Sequence, residues 1–350
     1  YAQLWSLYYL VMVIAEVPLG WLADRLGKRP LLVAGPATLA ASFALLGRSV
    51  DFDICLVAMA VTGAGHAMIS GADSAYLYEL LIRENRREDA LQEESLAHRW
   101  RLFGVSLADL SGGFVAWWWG TSAAFDLSAL LMIVAVWVAW RLPSLPPERR
   151  APHETGVRPL LSALASPEVL WVFAWYAVIF VLLRIGFQLY QPSLLAAGAH
   201  DLRIHGGLLS LLNLVAGVSA IAVGVVYQRL GERGTIVAVL ALVALSFLGL
   251  SLLGPWAMAP LFCLQQVSFA FLQPLGRTAL NHRITSSDRA SLLSAQSMAA
   301  RLAFSLALVG GSWDQAVSTE LPQTYLALAG VTVAFAIALF CLRPGQGSSA

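Results

Sequence analysis

The sequence predicts an all-α polytopic membrane protein, because of its composition, its long apolar segments and the distribution of its cations. Of the 350 residues, 58% are hydrophobic and only 12% are charged, and the mean hydropathy is +0.70. A soluble protein of this size carries roughly 25% charged residues. Half that density indicates that most of the surface faces lipid, so the lipid bilayer is the first predicted partner.

Eleven segments are long and apolar enough to cross a bilayer, which takes about 20 residues in a helix. They cover residues 4–23, 31–47, 54–81, 102–119, 122–140, 169–197, 206–227, 235–253, 256–275, 292–313 and 325–342. Each segment is predicted to be a transmembrane helix.

The cations alternate between the two sides of this predicted bundle. All but four of the 22 Lys and Arg residues fall in every second loop, whereas the opposite loops hold only Arg48 and Arg203. The remaining two, Arg184 and Arg301, lie inside predicted spans. Because cytoplasmic loops are enriched in Lys and Arg, we predict a cytoplasmic C-terminus and an external start of the chain.

Composition and motifs argue against several classes of function. The net charge is +1 and the basic residues form short clusters, not a continuous basic stripe. Nucleic-acid binding is therefore not predicted. Cys55, Cys263 and Cys341 lie singly in apolar segments, so neither a metal site nor a disulfide framework is predicted. The only lysine, Lys28, is followed by Arg29 and forms no phosphate-binding loop, and zinc-protease and serine-hydrolase motifs are absent. We therefore predict neither an enzyme nor a cofactor.

An internal repeat divides the chain into two halves. Residues 20–29 read GWLADRLGKR and residues 224–233 read GVVYQRLGER, so five positions coincide at an offset of 204 (224 minus 20). Residues 141–168 between the halves are rich in Pro, Arg and Glu. These observations predict two pseudo-symmetric helix bundles, residues 1–142 and 167–343, joined by a cytoplasmic linker, 143–166, and followed by a cytoplasmic tail, 344–350.

Residues 20–29 resemble the signature that transporters of the major facilitator superfamily carry between their second and third helices. Lys28 stands in place of the usual Arg. The resemblance covers the whole chain and implies the major facilitator fold, with twelve transmembrane helices in two six-helix halves and a monomer as the usual form. This chain supplies eleven of the twelve, so its spans become helices 2–12, and helix 1 is expected upstream of Tyr1.

The first repeat loop also predicts a conformational latch. The latch consists of Gly20, Asp24, Arg25, Gly27, Lys28, Arg29 and Glu79. Its glycines permit close packing and a tight turn, and its aspartate can accept hydrogen bonds at a helix N-terminus. We expect Glu79 to pair with Arg25 or Arg29, holding one conformation and breaking in another. Alternatively, the loop is only a turn with positive-inside topology.

Polar residues within the spans are the candidate substrate contacts. In the family, helices 1, 4, 7 and 10 line the central cavity, which implies that a small-molecule substrate meets His66, Asp73, Tyr76, Arg184, Gln188, Gln191, Gln265 and Gln266. A charge within the bilayer costs roughly 2.5 kcal/mol or more and therefore needs a partner. Arg184 is predicted to bind an anionic or polar substrate group, or else to pair with a structural carboxylate.

Two carboxylates are candidates for coupling transport to protons. Asp109 lies near mid-depth of its helix, where an acid is placed to take up and release a proton, and Glu16 is the second candidate. Glu16 can instead form an intramembrane ion pair with Arg301, because their helices adjoin in the family fold. His66 is either a proton relay or a packed, hydrogen-bonded histidine.

Residues 104–113 resemble the family's antiporter motif, with Ala108 for the central Gly and Asp109 for Pro. The alternative is that Gly104, Ala108 and Gly112 merely let helices pack closely.

We predict a secondary active transporter of a small organic solute in the inner (plasma) membrane, acting by proton-coupled efflux. Nutrient uptake by symport and a non-transporting membrane scaffold or sensor are the alternatives.

Overall fold

The structure is a computed structural model that describes residues 2–70, 72–86, 89–145, 166–254, 257–283, 289–310 and 321–341. Within these ranges the elements are eleven α-helices. They are α1 (Ala2–Leu26), α2 (Lys28–Leu46), α3 (Phe52–Ile69), α4 (Ala72–Arg83), α5 (Ala90–Trp119), α6 (Thr121–Arg141), α7 (Pro167–Ala196), α8 (Leu202–Leu252), α9 (Met258–Asn281), α10 (Arg289–Gly310) and α11 (Leu321–Cys341).

Local residue chemistry explains several helix boundaries. The Asp51 side chain caps α3 by accepting hydrogen bonds from the backbone N–H groups of Asp53 and Ile54, at 2.9 and 3.3 Å. Pro167 opens α7, where its missing N–H is not needed. Gly120 separates α5 from α6 with a φ of 87°, a conformation that favours glycine.

Eight stretches of the described chain are long and apolar enough to cross a membrane. One of them joins α3 and α4 as Phe52–Arg83, and another is the whole of α8, which contains two predicted spans on either side of the non-helical residue Gly231. Helices α5 and α9 are not among the eight. The protein therefore spans the membrane several times, and the count of eleven spans stays a prediction.

Residues Tyr1–Ala151 and Asp201–Ser210 form the first of two compact units. In it α2 packs against α3 and α6, and α1 packs against α3. Helices approach closely at Gly63, where an added Cβ would lie 2.5 Å from the Tyr8 carbonyl oxygen. Ser42 of α2 donates a hydrogen bond of 2.8 Å to the Ala58 carbonyl of α3. Small and polar residues thus hold these helices together.

Residues Pro152–His200 and Leu211–Ala350 form the second unit, in which α7 packs against α9, α10 and α11. Trp175 and Ile179 of α7 are fully buried. The hydroxyls of Ser193 and Tyr325 lie 2.6 Å apart and join α7 to α11. Helix α7 is therefore the core of this unit.

The predicted domain limits stay predictions. The predicted tail, 344–350, and most of the predicted linker, 143–166, lie outside the described residues.

Candidate functional site

A single glycine joins α1 to α2 in the first unit. Gly27 has a φ of 82°, which a side chain would strain, and a Cβ there would lie 3.3 Å from the Leu145 carbonyl oxygen. The predicted turn at Gly27 is therefore present. No atom of the described residues lies within 4 Å of a Cβ built at Gly20, so the structure shows no close packing at this glycine. Asp24 lies in α1, and its side chain is outside the described part of the chain.

The buried cation of this loop is Lys28, the first residue of α2. Its ammonium group forms an ion pair with the Glu79 carboxylate of α4, and the two side chains are only 6% and 17% exposed. A cation at a helix N-terminus is disfavoured by the helix dipole, and Glu79 offsets that cost. The expectation that Glu79 pairs with Arg25 or Arg29 is therefore wrong.

Both arginines are occupied elsewhere. The Arg25 guanidinium lies 3.7 Å from the centre of the Trp21 ring. Arg29 donates a hydrogen bond to the Trp140 carbonyl oxygen at the end of α6. Among the described residues, the cation of this loop that pairs with Glu79 is Lys28.

Tyr76, predicted as a substrate contact, belongs to the same end of the first unit. Its hydroxyl donates a hydrogen bond of 2.8 Å to the Pro143 carbonyl oxygen, just after α6. The side chain is buried and packs with Leu32, Ala72 and Leu145. Tyr76 thus ties α4 to the chain that follows α6.

The second unit contains the counterpart of this arrangement with the charges exchanged. Gly231 has a φ of 67° and is followed by Glu232, which accepts two hydrogen bonds from Arg283, at 3.1 and 2.9 Å. Gly231 matches Gly27 at the repeat offset (231 minus 27 is 204), and Arg283 matches Glu79 (283 minus 79 is 204). In both ion pairs, the two partner residues are 51 positions apart in the sequence. This second pair was not predicted, although the repeat offset of 204 relates Glu232 to Lys28 and Arg283 to Glu79 and is visible in the sequence.

Arg283 has further contacts that hold it in place. It donates a hydrogen bond of 2.6 Å to the Ala279 carbonyl oxygen, and its Nε lies 3.9 Å from a Glu168 oxygen at the start of α7. Its guanidinium lies 5.7 Å from the centre of the Trp171 ring. The second pair therefore connects three segments of its unit.

The other predicted polar residues of the first unit have mixed surroundings. The His66 Nδ1 lies 3.1 Å from the Thr62 carbonyl oxygen, and its ring meets Tyr8 edge to face at 5.6 Å. These contacts favour the packed-histidine interpretation. Glu16 accepts a hydrogen bond of 3.4 Å from Ser70, and Asp73 is exposed. The predicted pair of Glu16 with Arg301 stays a prediction.

Helix α5 meets the start of α8 at a pair of glycines. A Cβ at Gly113 would lie 2.7 Å from the Leu202 carbonyl oxygen and 3.0 Å from the Gly206 α-carbon. Among the described residues, nothing lies within 4 Å of a Cβ at Gly104 or Gly112, so the structure shows no close helix packing at those two glycines. The face of α5 that carries Gly113 is the one that packs against the start of α8.

Two further interactions support this contact between α5 and α8. The hydroxyls of Ser106 and Ser210 are 2.8 Å apart. Arg203 lies 3.9 Å from the centre of the Trp117 ring and pairs with Asp201, whose pKa it holds below the usual value through hydrogen bonds. Asp109 is half-buried on the same helix, one turn before Gly113.

The predicted polar residues of the second unit lie on α7 and α9. The Arg184 guanidinium lies 5.5 Å from the centre of the Phe180 ring and 5.3 Å from that of Phe269. Its buried Nε has no hydrogen-bond partner in the described part of the protein. Arg184 therefore has no structural carboxylate on this nitrogen, which keeps its predicted role as a substrate contact open.

The predicted glutamines of the second unit differ in exposure. Gln265 is buried, donates a hydrogen bond of 2.9 Å to the Ser246 hydroxyl and packs its amide against Gly186. It therefore cross-links helices. Gln188 is also buried, Gln266 is half-buried and Gln191 is exposed. Their predicted substrate contacts stay predictions.

Comparison with known proteins decides the family. The model of the Major Facilitator Superfamily matches residues 2–308. The chain belongs to this superfamily. The predictions of an all-α membrane protein and of this family are thereby confirmed.

Two curated relatives match part of the chain. The chain is similar to the inner membrane transport protein YajR of Escherichia coli (strain K12), with 27% identity over 139 residues, 38% of this chain and 29% of that protein. It is also similar to the multidrug resistance protein MdtH of Yersinia pestis (strain Pestoides F), with 29% identity over 147 residues, 41% of this chain and 35% of that protein. The matches thus span about a third of each relative's length.

Solved structures share the fold. A nucleoside transporter, NupG, has a TM-score of 0.80 at 13% identity and covers 97% of this chain and 89% of its own. An auto-inhibited peptide transporter of the POT family has a TM-score of 0.77 at 14% identity, over 98% and 90% of the two chains. At these identities the likeness shows the fold alone.

Proposed function

We propose that this protein is a secondary active transporter that moves a small organic solute across the bacterial inner membrane by alternating access. The observation that carries this proposal is the repeated ion pair, Lys28 with Glu79 and Glu232 with Arg283. Each pair follows a glycine of positive φ and connects segments distant in sequence. A transporter needs such interactions, because alternating access requires contacts that hold one state and release in another.

The expected strength of these pairs suits that role. Removing one partner of a buried ion pair costs about 3–5 kcal/mol. Moving a two-state equilibrium from 1:99 to 99:1 takes about 5.5 kcal/mol. A latch of this size therefore biases a conformational equilibrium strongly and still permits its reversal when a substrate binds.

Efflux coupled to protons is the mode of transport that we propose. The likeness to a multidrug resistance protein and the antiporter-like residues 104–113 support efflux. Asp109 is the proposed proton carrier, because it is an acid half-buried in the helix that carries those residues. Nutrient uptake remains the second candidate.

Asp109→Asn is expected to abolish proton-driven flux. The experiment uses protein expressed from its complete gene, placed in proteoliposomes with an imposed proton gradient and screened against nucleosides, dipeptides and amphipathic drugs. Asn cannot carry a proton, so gradient-driven flux disappears while the protein stays folded. Asp126→Asn is the matched control, because that carboxylate is exposed and pairs with Arg48 at 3.3 Å.

Equal flux in wild type and Asp109→Asn would discard this role and move proton coupling to Glu16, His66 or Asp73. If no solute is driven by any gradient in wild type, the scaffold or sensor alternative is favoured.

The orientation of the chain can be measured independently of transport. A fluorescent protein fused to the C-terminus is expected to fluoresce, because we place that end in the cytoplasm with most of the cations. Alkaline phosphatase fused at Gly198, between α7 and α8, is expected to be active outside. The reverse pattern would contradict the proposed topology.

A further inference from the structure

The chain that leaves α6 folds back onto the first ion pair. Residues 142–145 come directly after α6, and we call them the strap. The Leu145 carbonyl oxygen lies beside the turn that precedes Lys28, because a Cβ at Gly27 would be only 3.3 Å from it. The strap therefore touches the loop that carries the buried lysine.

The strap also contacts the two helices that carry the ion pair. Its two leucines pack against a buried cluster formed by Leu32 of α2 with Ala72 and Tyr76 of α4. The Tyr76 hydroxyl donates a hydrogen bond of 2.8 Å to the Pro143 carbonyl oxygen in the middle of the strap. The strap thus bridges α2 and α4.

These contacts lie one helical turn from each partner of the pair. Leu32 follows Lys28 by four residues and shares its face of α2. Tyr76 precedes Glu79 by three residues and shares its face of α4. Separating Lys28 from Glu79 moves these two faces apart, and that movement breaks the contacts of the strap with one helix or the other.

A further contact holds the chain just before the strap, and the ion pair is shielded from water. Arg29 donates a hydrogen bond to the Trp140 carbonyl oxygen, two residues before the strap begins. The Lys28 and Glu79 side chains are almost buried. An ion pair is stronger away from water, because the effective dielectric constant is lower there. Water that enters when the strap leaves therefore weakens the pair.

We propose that the strap holds the Lys28–Glu79 pair closed, so that the pair opens only when residues 142–145 leave the junction of α2 and α4. The first residues after α6 then control a conformational switch of the first unit. The proposal rests on the role of this pair in the proposed transport cycle, and its test detects the opening of the pair directly.

Acylation of Lys28 measures this opening, because Lys28 is the only lysine of the chain and a buried, paired ammonium group reacts slowly. The purified protein in nanodiscs is treated with acetic anhydride, and mass spectrometry of the peptide that contains Lys28 gives the rate. Wild type is expected to react slowly and Glu79→Gln fast. Tyr76→Phe removes the hydrogen bond to Pro143 and is expected to raise the rate about fivefold, which corresponds to about 1 kcal/mol.

Tyr78→Phe and Leu130→Ala are the matched controls, since both side chains are exposed, one on α4 and one on α6. Both variants are expected to react as wild type does. Leu145→Ala removes part of the apolar contact of the strap and is expected to resemble Tyr76→Phe. If it does not fold, Tyr76→Phe decides the test, because that change leaves the ring in the cluster.

The thiol of Cys55 shows whether the first unit has loosened as a whole. Cys55 is half-buried near the start of the α3–α4 stretch, at the opposite end from Glu79. Its rate of modification by a maleimide is expected to be the same in wild type and in the strap variants, Tyr76→Phe and Leu145→Ala. A change confined to Lys28 would therefore be a local opening.

Equal acylation of Lys28 in wild type and both strap variants would overturn the proposal, and so would a parallel rise in the modification of Cys55. If wild type reacts as fast as Glu79→Gln, the pair is not closed and there is nothing for the strap to hold. If the strap variants react faster at Lys28 while flux in proteoliposomes is unchanged, the strap stands and the role of the pair in transport is refuted.

Discussion

Gly113→Leu is expected to prevent the protein from folding, whereas Gly112→Leu is expected to be tolerated. A side chain at Gly113 would run into the Leu202 carbonyl and the Gly206 α-carbon, which are backbone atoms and cannot turn away. Ordinary overpacking costs roughly 1–3 kcal/mol, and a backbone collision costs more because whole helices must separate. A total stability of about 5–15 kcal/mol would not withstand that loss.

The measurement is the yield of monodisperse protein after detergent extraction, together with its Tm. Gly112 is the matched control, because it neighbours Gly113 on α5 and a Cβ there would meet no atom of the described residues within 4 Å. If both variants fold equally well, α5 and the start of α8 do not pack at Gly113. Failure of both would indicate that α5 tolerates no larger residue in this turn.

Glu79→Gln is expected to have the second largest effect. It leaves the Lys28 ammonium buried without its counter-charge, at a cost of about 3–5 kcal/mol, which would lower both Tm and flux. Asp126→Asn is again the control, since Arg48 and Asp126 are 66% and 50% exposed and such pairs contribute about 1 kcal/mol or less.

A charge exchange tests whether the pair or the individual residues matter. Lys28→Glu combined with Glu79→Lys gives the first unit the arrangement that Glu232 and Arg283 have in the second. The double variant is expected to recover much of the lost Tm, partly because an acid suits a helix N-terminus. If it is no better than the single variant, Lys28 and Glu79 do not act as an ion pair.

Composition and the long apolar segments determined the broad architecture. A chain with 12% charged residues cannot cover a soluble surface, so membrane helices followed from the sequence alone. The turn at Gly27 also followed, because the repeat-loop motif places a glycine where the chain reverses. The number of spans stays a prediction, since α8 contains two predicted spans on either side of Gly231 and α5 and α9 are not among the eight apolar stretches.

Side-chain partners depended on the tertiary structure. The sequence pointed to Glu79 but not to Lys28 as its partner, and it pointed to Gly104 and Gly112 where Gly113 makes the contact. Neighbouring residues on a helix point about 100° apart, so the rotation of each helix in its bundle decides which of them meets another helix. That rotation arises from packing across the whole unit, which is why the partners of Lys28 and of Gly113 became evident only in the folded protein.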